Sequence, residues 1–145
     1  MEKLSDFADS ITELMQEKEL NTITLGIAIG TPNSVIHRWK TGKYGLCLSS
    51  ALKLADYFDC SLEFLMGRTE IRLSYTPQKC PPFYERLLTV MKIHGKSQYR
   101  LIKDTSFSGG YLARWKKGAD PLVETLINLS TYFECTLDYL VGRDR

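Results

Sequence analysis

Apolar residues recur along this chain at helical spacing, and the same spacing appears twice. Phe7, Ile11, Leu14 and Met15 stand at i, i+4, i+7 and i+8, and so do Phe83, Leu87, Val90 and Met91. This is the mark of one buried face of an amphipathic helix. Each set opens a series of five short helical segments. In the first half they are expected at 5–19, at 22–29, from Thr31-Pro32 to Gly42, at 49–58, and from the cap Ser61 to Gly67. In the second half they are expected at 83–94, at 97–105, from the cap Ser108 to Gly118, at 122–133, and from the cap Thr136 to Gly142. Hydroxyl residues at the N-cap, proline at the first helical position, acids in the first turn (Glu63, Asp138) and glycine past the end are the start and stop signals used. No window alternates as a strand; the piece 71–75 comes closest, between the two halves.

The halves are copies of one another. Segment 57–68 (YFDCSLEFLMGR) set on 132–143 (YFECTLDYLVGR) gives seven identities in twelve positions, where chance gives about one at ordinary composition. With one residue dropped between segments, Arg38-Trp39-Lys40-x-Gly42 falls on Arg114-Trp115-Lys116-x-Gly118. The chain is thus read as two units of ~62–65 residues, each near the lower size limit for folding alone. The expected architecture is all-α, with a first domain at 1–68, a linker at 69–82 and a second domain at 83–145. The linker has three prolines, Pro77, Pro81 and Pro82. Fully extended it spans at most ~46–50 Å, and either a semi-rigid tether or an irregular packed connector suits its composition.

Composition changes the picture mainly through charge. Apolar residues make up 43% and charged residues 25%, as in ordinary folded chains, which excludes disorder and collagen-like repeats. No apolar run approaches the ~20 residues of a membrane-spanning helix. The N-terminus lacks the apolar core of a secretory signal, so a soluble, cytoplasmic chain is expected. Cys47, Cys60, Cys80 and Cys135 form no CxxC pair and are expected reduced. Cys60 and Cys135 match each other in the repeat and are read as small core residues. The net charge of +2 divides unevenly: residues 1–75 carry 8 basic and 10 acidic side chains, residues 76–145 carry 11 and 7. The second half is the better suited to a polyanion.

In each half a short helix, a tight turn and a second helix closing in Arg-Trp-Lys-x-Gly resemble a helix-turn-helix. NTITLGIAIGTPNSVIHRWKTG and SQYRLIKDTSFSGGYLARWKKG, with LADYFDCSLEFLMGR and LSTYFECTLDYLVGR downstream, resemble the phage-repressor/Cro-type (XRE) family. That likeness covers about nine-tenths of the chain and implies two tandem five-helix repressor-like domains. The residues themselves agree. Gly30 supplies a flexible corner and Gly26 a small residue where the helices cross, with Leu25 and Ile36, and Leu101 and Leu112, as the apolar contact. The second copy has Ser106 at the corner and Ile102 at the crossing, which calls for a looser or repacked crossing.

The resemblance implies that the third helix of each copy enters the major groove with its N-terminal side chains on base edges. Candidates are Asn33, Ser34, Val35, His37 and Arg38 in the first copy, and Ser108, Gly109, Gly110, Tyr111 and Arg114 in the second. The family's phosphate-binding Gln at the start of the preceding helix is matched by Gln98 and replaced by Thr22. Lys40, Lys43, Lys116 and Lys117 lie at the far end of the third helices, where phosphates are the expected targets, and Lys96 and Arg100 flank Gln98. Trp39 and Trp115 are read as core. The chain has no HExxH, phosphate loop or GxSxG elbow, and its two histidines are 57 positions apart, so neither an enzyme nor a bound metal or cofactor is expected. Two functions fit. One is a DNA-binding transcription regulator, a repressor of phage or mobile-element type, on an asymmetric operator of two half-sites, as a single chain or a homodimer. The other is a protein-binding adaptor, antirepressor-like or antitoxin-like, which keeps the fold without reading DNA.

Overall fold

The computed structural model describes residues 5–42, 45–72, 78–105 and 107–144. Every regular element among them is a helix: α1 (Ser5–Glu17), α2 (Thr22–Ile29), α3 (Asn33–Thr41), α4 (Leu48–Phe58), α5 (Leu62–Leu65), α6 (Phe83–Ile93), α7 (Gln98–Asp104), α8 (Gly109–Lys116), α9 (Val123–Tyr132) and α10 (Leu137–Val141). Lys43, Ser106 and most of the strand-like piece 71–75 lie outside the described residues. The helices gather into two compact units, Met1–Thr76 with Leu122–Glu124, and Pro77–Pro121 with Thr125–Arg145.

In the first unit the periodic face of α1 buries Phe7, Ile11, Leu14 and Met15 and packs on α3 and α5. Asn21 and Thr24 cap α2 reciprocally: the Asn21 side chain accepts from the Thr24 amide at 2.8 Å, and Thr24 Oγ1 accepts from the Asn21 amide at 2.9 Å. That satisfies two of the donors a helix start leaves orphaned. Ser61 caps α5 by accepting from the Phe64 amide at 3.0 Å. Gly67 follows with φ +71°, and a Cβ there would stand 2.7 Å from that of Asp6. Only glycine meets both demands. The start of the linker is packed: Arg72 donates to Glu17 at 2.7 Å and to the Phe58 carbonyl at 2.6 Å.

In the second unit α6 buries Phe83, Leu87, Val90 and Met91 and packs on α8 and α10. Ser97 and Thr136 cap α7 and α10 through the amides of Arg100 and Tyr139. Arg86 is buried, donating twice to the Tyr139 carbonyl at 3.1 and 2.7 Å and stacking over the Tyr139 ring at 4.7 Å. Asp138 and Arg143 form a buried ion pair at 3.1 Å. The Gln78 amide donates to the Arg143 carbonyl at 3.1 Å.

Helix ends differ from the sequence expectation by a residue or two. Pro32, not Thr31, is the N-cap of α3. The Thr31 amide donates to the Gly26 carbonyl at 2.9 Å, which commits Thr31 to closing α2. Lys117 is the C-cap of α8, with Gly118 at φ +97° one residue later, and α5 ends at Leu65 with Met66 as its cap.

Candidate nucleic-acid interface

The geometry of α2 and α3 follows from two glycines. Gly30 is left-handed at φ +69° and turns the chain out of α2. Gly26 lies buried under the turn, where a Cβ would collide with the Thr31 carbonyl oxygen and meet Ile36 Cδ1 at 3.5 Å. The two backbones approach so closely only because that side chain is missing. Leu25 and Ile36 are fully buried at this crossing. Trp39 is 3% exposed and sets its ring edge against Phe7, centroids 6.2 Å apart, as expected of a core residue.

With Ile36 and Trp39 turned inward, α3 presents Asn33, Ser34, His37, Arg38 and Lys40 to solvent, with Val35 half-buried at the edge. Arg38 and Lys40 occupy its last turn, where cations also complement the helix dipole. Lys43 lies outside the described residues. Thr22, at the start of α2, is half-buried. The outer face of α2 is apolar, with Ile23 57% and Ile27 79% exposed. They border an open groove of about 450 Å³ lined by Gly26, Gly30, Thr31, Pro32 and Asn33.

In the second unit the crossing of α7 and α8 is repacked. Ile102 stands where the first unit has Gly26, and its Cδ1 lies 3.9 Å from the place a Cβ of Gly109 would occupy. Leu101 and Leu112 are buried, and Trp115 meets Phe83 at 5.2 Å and Phe107 at 6.1 Å. Ser108, Gly109, Gly110, Tyr111, Arg114, Lys116 and Lys117 are exposed, Tyr111 at 36%. Ser108 is the N-cap but makes no side-chain cap bond. Arg114 lies over the Tyr111 ring at 4.9 Å.

The polar residues around α7 are held in place by one another. The Gln98 amide donates to the Tyr84 hydroxyl at 3.2 Å, and Lys96 lies over the Tyr132 ring at 5.6 Å. Arg100 pairs with Asp104 at 3.4 Å, and the Tyr132 hydroxyl donates to the same carboxylate at 2.6 Å. The Tyr132 bond holds the Asp104 carboxyl below its ordinary range against the opposing cost of desolvation, assisted by the charges of Arg100, Lys96 and Lys103. The Tyr132 phenol is raised by the same bond. The sequence reading missed Tyr84, Asp104 and Tyr132. The i, i+4 spacing of Arg100 and Asp104 signals that pair; nothing in the sequence signals the other two.

Cys60 is buried, as expected, whereas Cys135 is half-buried. Among the described residues no cluster of three or more His, Cys, Asp or Glu side chains is placed to hold a metal ion. No helix among them is long and apolar enough to cross a membrane.

Two helices across a glycine corner, the second offering an exposed polar and basic row, define a helix-turn-helix in the first unit. Residues 10–70 match the model of the Cro/C1-type HTH DNA-binding domain. The first unit therefore carries a helix-turn-helix domain of this XRE-family type, a DNA-binding and non-catalytic module. Comparison with curated proteins and with solved structures gives no match.

Proposed function

We propose that the protein is a sequence-specific DNA-binding transcription regulator, a cytoplasmic repressor of phage or mobile-element type, built from two tandem helix-turn-helix copies. The observation that carries this reading is the exposed row Asn33, Ser34, His37 and Arg38, opposite buried Ile36 and Trp39, on the third helix of a Cro/C1-type domain. Support for a second copy, with domains at 1–68 and 83–145, comes from α6–α10. They repeat the helix order and the side-chain caps of the second and fifth helices, Ser97 standing where the first unit has Asn21 and Thr136 where it has Ser61, and they set Trp115 on Phe83 as Trp39 is set on Phe7.

In this reading α3 and α8 lie in major grooves. Asn33 pairs with adenine and Arg38 with guanine, each worth ~1–3 kcal/mol of discrimination. Ser34, Val35 and His37 complete that surface. In the second copy Ser108 and Arg114 face bases, with Tyr111 beside Arg114 on the same surface, while Gly109 and Gly110 bring no side chain. Phosphates are met by Lys40, Lys43, Lys96, Gln98, Arg100, Lys116 and Lys117. The operator is then an asymmetric pair of half-sites, ~34–36 Å apart, covered by one chain as a pseudo-dimer or by a homodimer.

A second reading, a protein-binding adaptor, is favoured by one observation: Ile23 and Ile27 are exposed on α2, beside Thr22 where the family carries its phosphate-binding Gln. A gel shift of the full chain on a random duplex pool at two salt concentrations separates the two. DNA binding predicts a shift that weakens with salt, and replacing Lys116 and Lys117 by Gln reduces the log–log salt slope by about one for each phosphate no longer neutralised. No shift at either concentration overturns it in favour of the adaptor.

A further inference from the structure

Tyr111, Arg114 and Gly110 form a unit that the repeat does not explain. Looking down α8, the buried Leu112 and Trp115 mark the inner face, and a helix turns 100° per residue. Gly110 and Arg114, one turn apart, therefore project outward, whereas Tyr111 stands on the flank. Its ring is fixed there, edge-on to Phe107 at 5.4 Å and tilted against Trp115 at 5.8 Å. The Arg114 guanidinium lies over this ring at 4.9 Å and also covers Gly110, where a Cβ would stand 3.3 Å from Arg114 Nη1 and 3.4 Å from Ser108 Oγ. A side chain at 110 would crowd the guanidinium in the place the ring gives it. The first unit has Ser34 and Val35 at the corresponding positions.

We propose that Tyr111 is a positioning residue that stacks Arg114 across Gly110 and presents its guanidinium to a guanine. This rests on the reading that the second copy docks on DNA. The chemistry suits the role, because stacking engages the guanidinium face and leaves the in-plane N–H fork open for the O6 and N7 acceptors. An ion pair such as that of Arg100 with Asp104 occupies the fork instead. The stack also restricts a long side chain before binding, so less rotamer freedom is lost on the base. Tyr111 thus acts through Arg114, and its hydroxyl reads no base.

The test uses the full chain, with duplexes selected by the wild type from a random pool, and three variants: Tyr111→Phe, Tyr111→Leu and Arg114→Lys. Arg114→Lys identifies the base pair read by Arg114 as the position where discrimination is lost. Tyr111→Phe keeps the ring and is expected to keep that discrimination. Tyr111→Leu keeps apolar bulk against Phe107 and Trp115 but loses the ring, and discrimination at that one pair is expected to fall about two- to fivefold, with the salt slope unchanged. In the free protein the Arg114 Nε–H resonance should carry a ring-current shift that survives Tyr111→Phe and disappears in Tyr111→Leu. Wild-type discrimination in Tyr111→Leu, loss of discrimination in Tyr111→Phe, or no ring-current shift in the wild type overturns the positioning role. A wild-type chain that enriches no sequence, or an Arg114→Lys variant with unaltered preference at every pair, overturns the DNA reading of this helix and the proposal with it.

Discussion

The two units differ where their second and third helices cross. Where the second and third helices cross, the first unit places glycine on α2, so that the α3 backbone lies against it and α3 keeps side chains throughout its first turn. The second unit places Ile102 on α7, and the glycine sits on α8 at position 109. The first crossing needs its absent side chain, since a Cβ at Gly26 would collide with the Thr31 carbonyl, whereas a Cβ at Gly109 would meet Ile102 Cδ1 only at an ordinary 3.9 Å. The difference matters for function, because the third helix is the one whose first turn would meet base edges. The first unit keeps Asn33 and Ser34 there; the second has Gly109 and Gly110, the latter covered by the guanidinium of Arg114.

The carboxyl-terminal motif of the repeat shows a similar divergence. Glu63 and Arg68 pair at 3.1 Å with both side chains about one-fifth exposed, whereas Asp138 and Arg143 pair at the same distance with both about 5% exposed or less. A charge left alone in a buried site is costly, and a partly solvated one is not. Asp138→Asn is therefore expected to destabilise the second unit by about 3–5 kcal/mol. Glu63→Gln should cost the first unit no more than about 1 kcal/mol. Amide exchange at Leu140 and at Leu65 reads the two units separately, and equal losses would remove this contrast.

The two glycines predict effects of opposite sign. Gly26→Ala drives a methyl into the Thr31 carbonyl and should destabilise the first unit by ~1–3 kcal/mol. Gly109→Ala meets only an ordinary contact with Ile102 and removes a poor helix former, so the second unit should gain up to ~1 kcal/mol. Thermal unfolding of the two variants checks both, and a loss of equal size in Gly109→Ala would show that Ile102 leaves no room for a side chain at 109.

The smallest effect concerns the polar network of the second unit. The folded Asp104 carboxyl titrates below its unfolded value, so its contribution to stability is present above the ordinary carboxylate range and is lost as pH falls through the folded value. Tyr132, raised by the same bond, contributes below its ordinary phenol range and ceases to as pH rises through the folded value. In Tyr132→Phe the Asp104 titration, followed by its carboxyl carbon resonance, should move up towards the ordinary range. An unmoved titration would assign the depression to Arg100 and the lysines instead.

Helix order and core were legible because they are periodic. The i, i+4, i+7, i+8 faces of α1 and α6, and both tryptophans, are buried as their spacing requires. Hydroxyl caps at Ser61 and Thr136 act where the sequence places them, whereas Thr31 is not the cap of α3 and Ser108 makes no side-chain cap bond. What could not be read was compensation across elements. Ile102, which stands where the first unit needs Gly26, is accommodated 36% exposed beside Gly109, and only the fold shows that. Arg72 with Glu17 is 55 residues distant, and Arg86 with the Tyr139 carbonyl is 53; no local rule links them. The exposed rows of α3 and α8 were legible as faces. Whether a given side chain on them is engaged, as Arg114 is with Tyr111 and Gln98 with Tyr84, depends on neighbours from other turns and helices.

The central claim is that the two copies read DNA unequally, the first through side chains and the second largely through Arg114 and phosphates. Selection of duplexes by the full chain from a random pool, repeated with Asn33→Ala, tests it most directly. The account predicts a motif of two half-sites, one more informative than the other, with the stronger half losing ~1–3 kcal/mol of discrimination at one position in Asn33→Ala. A motif with two equally informative halves, or a pool from which no sequence is enriched, would contradict it.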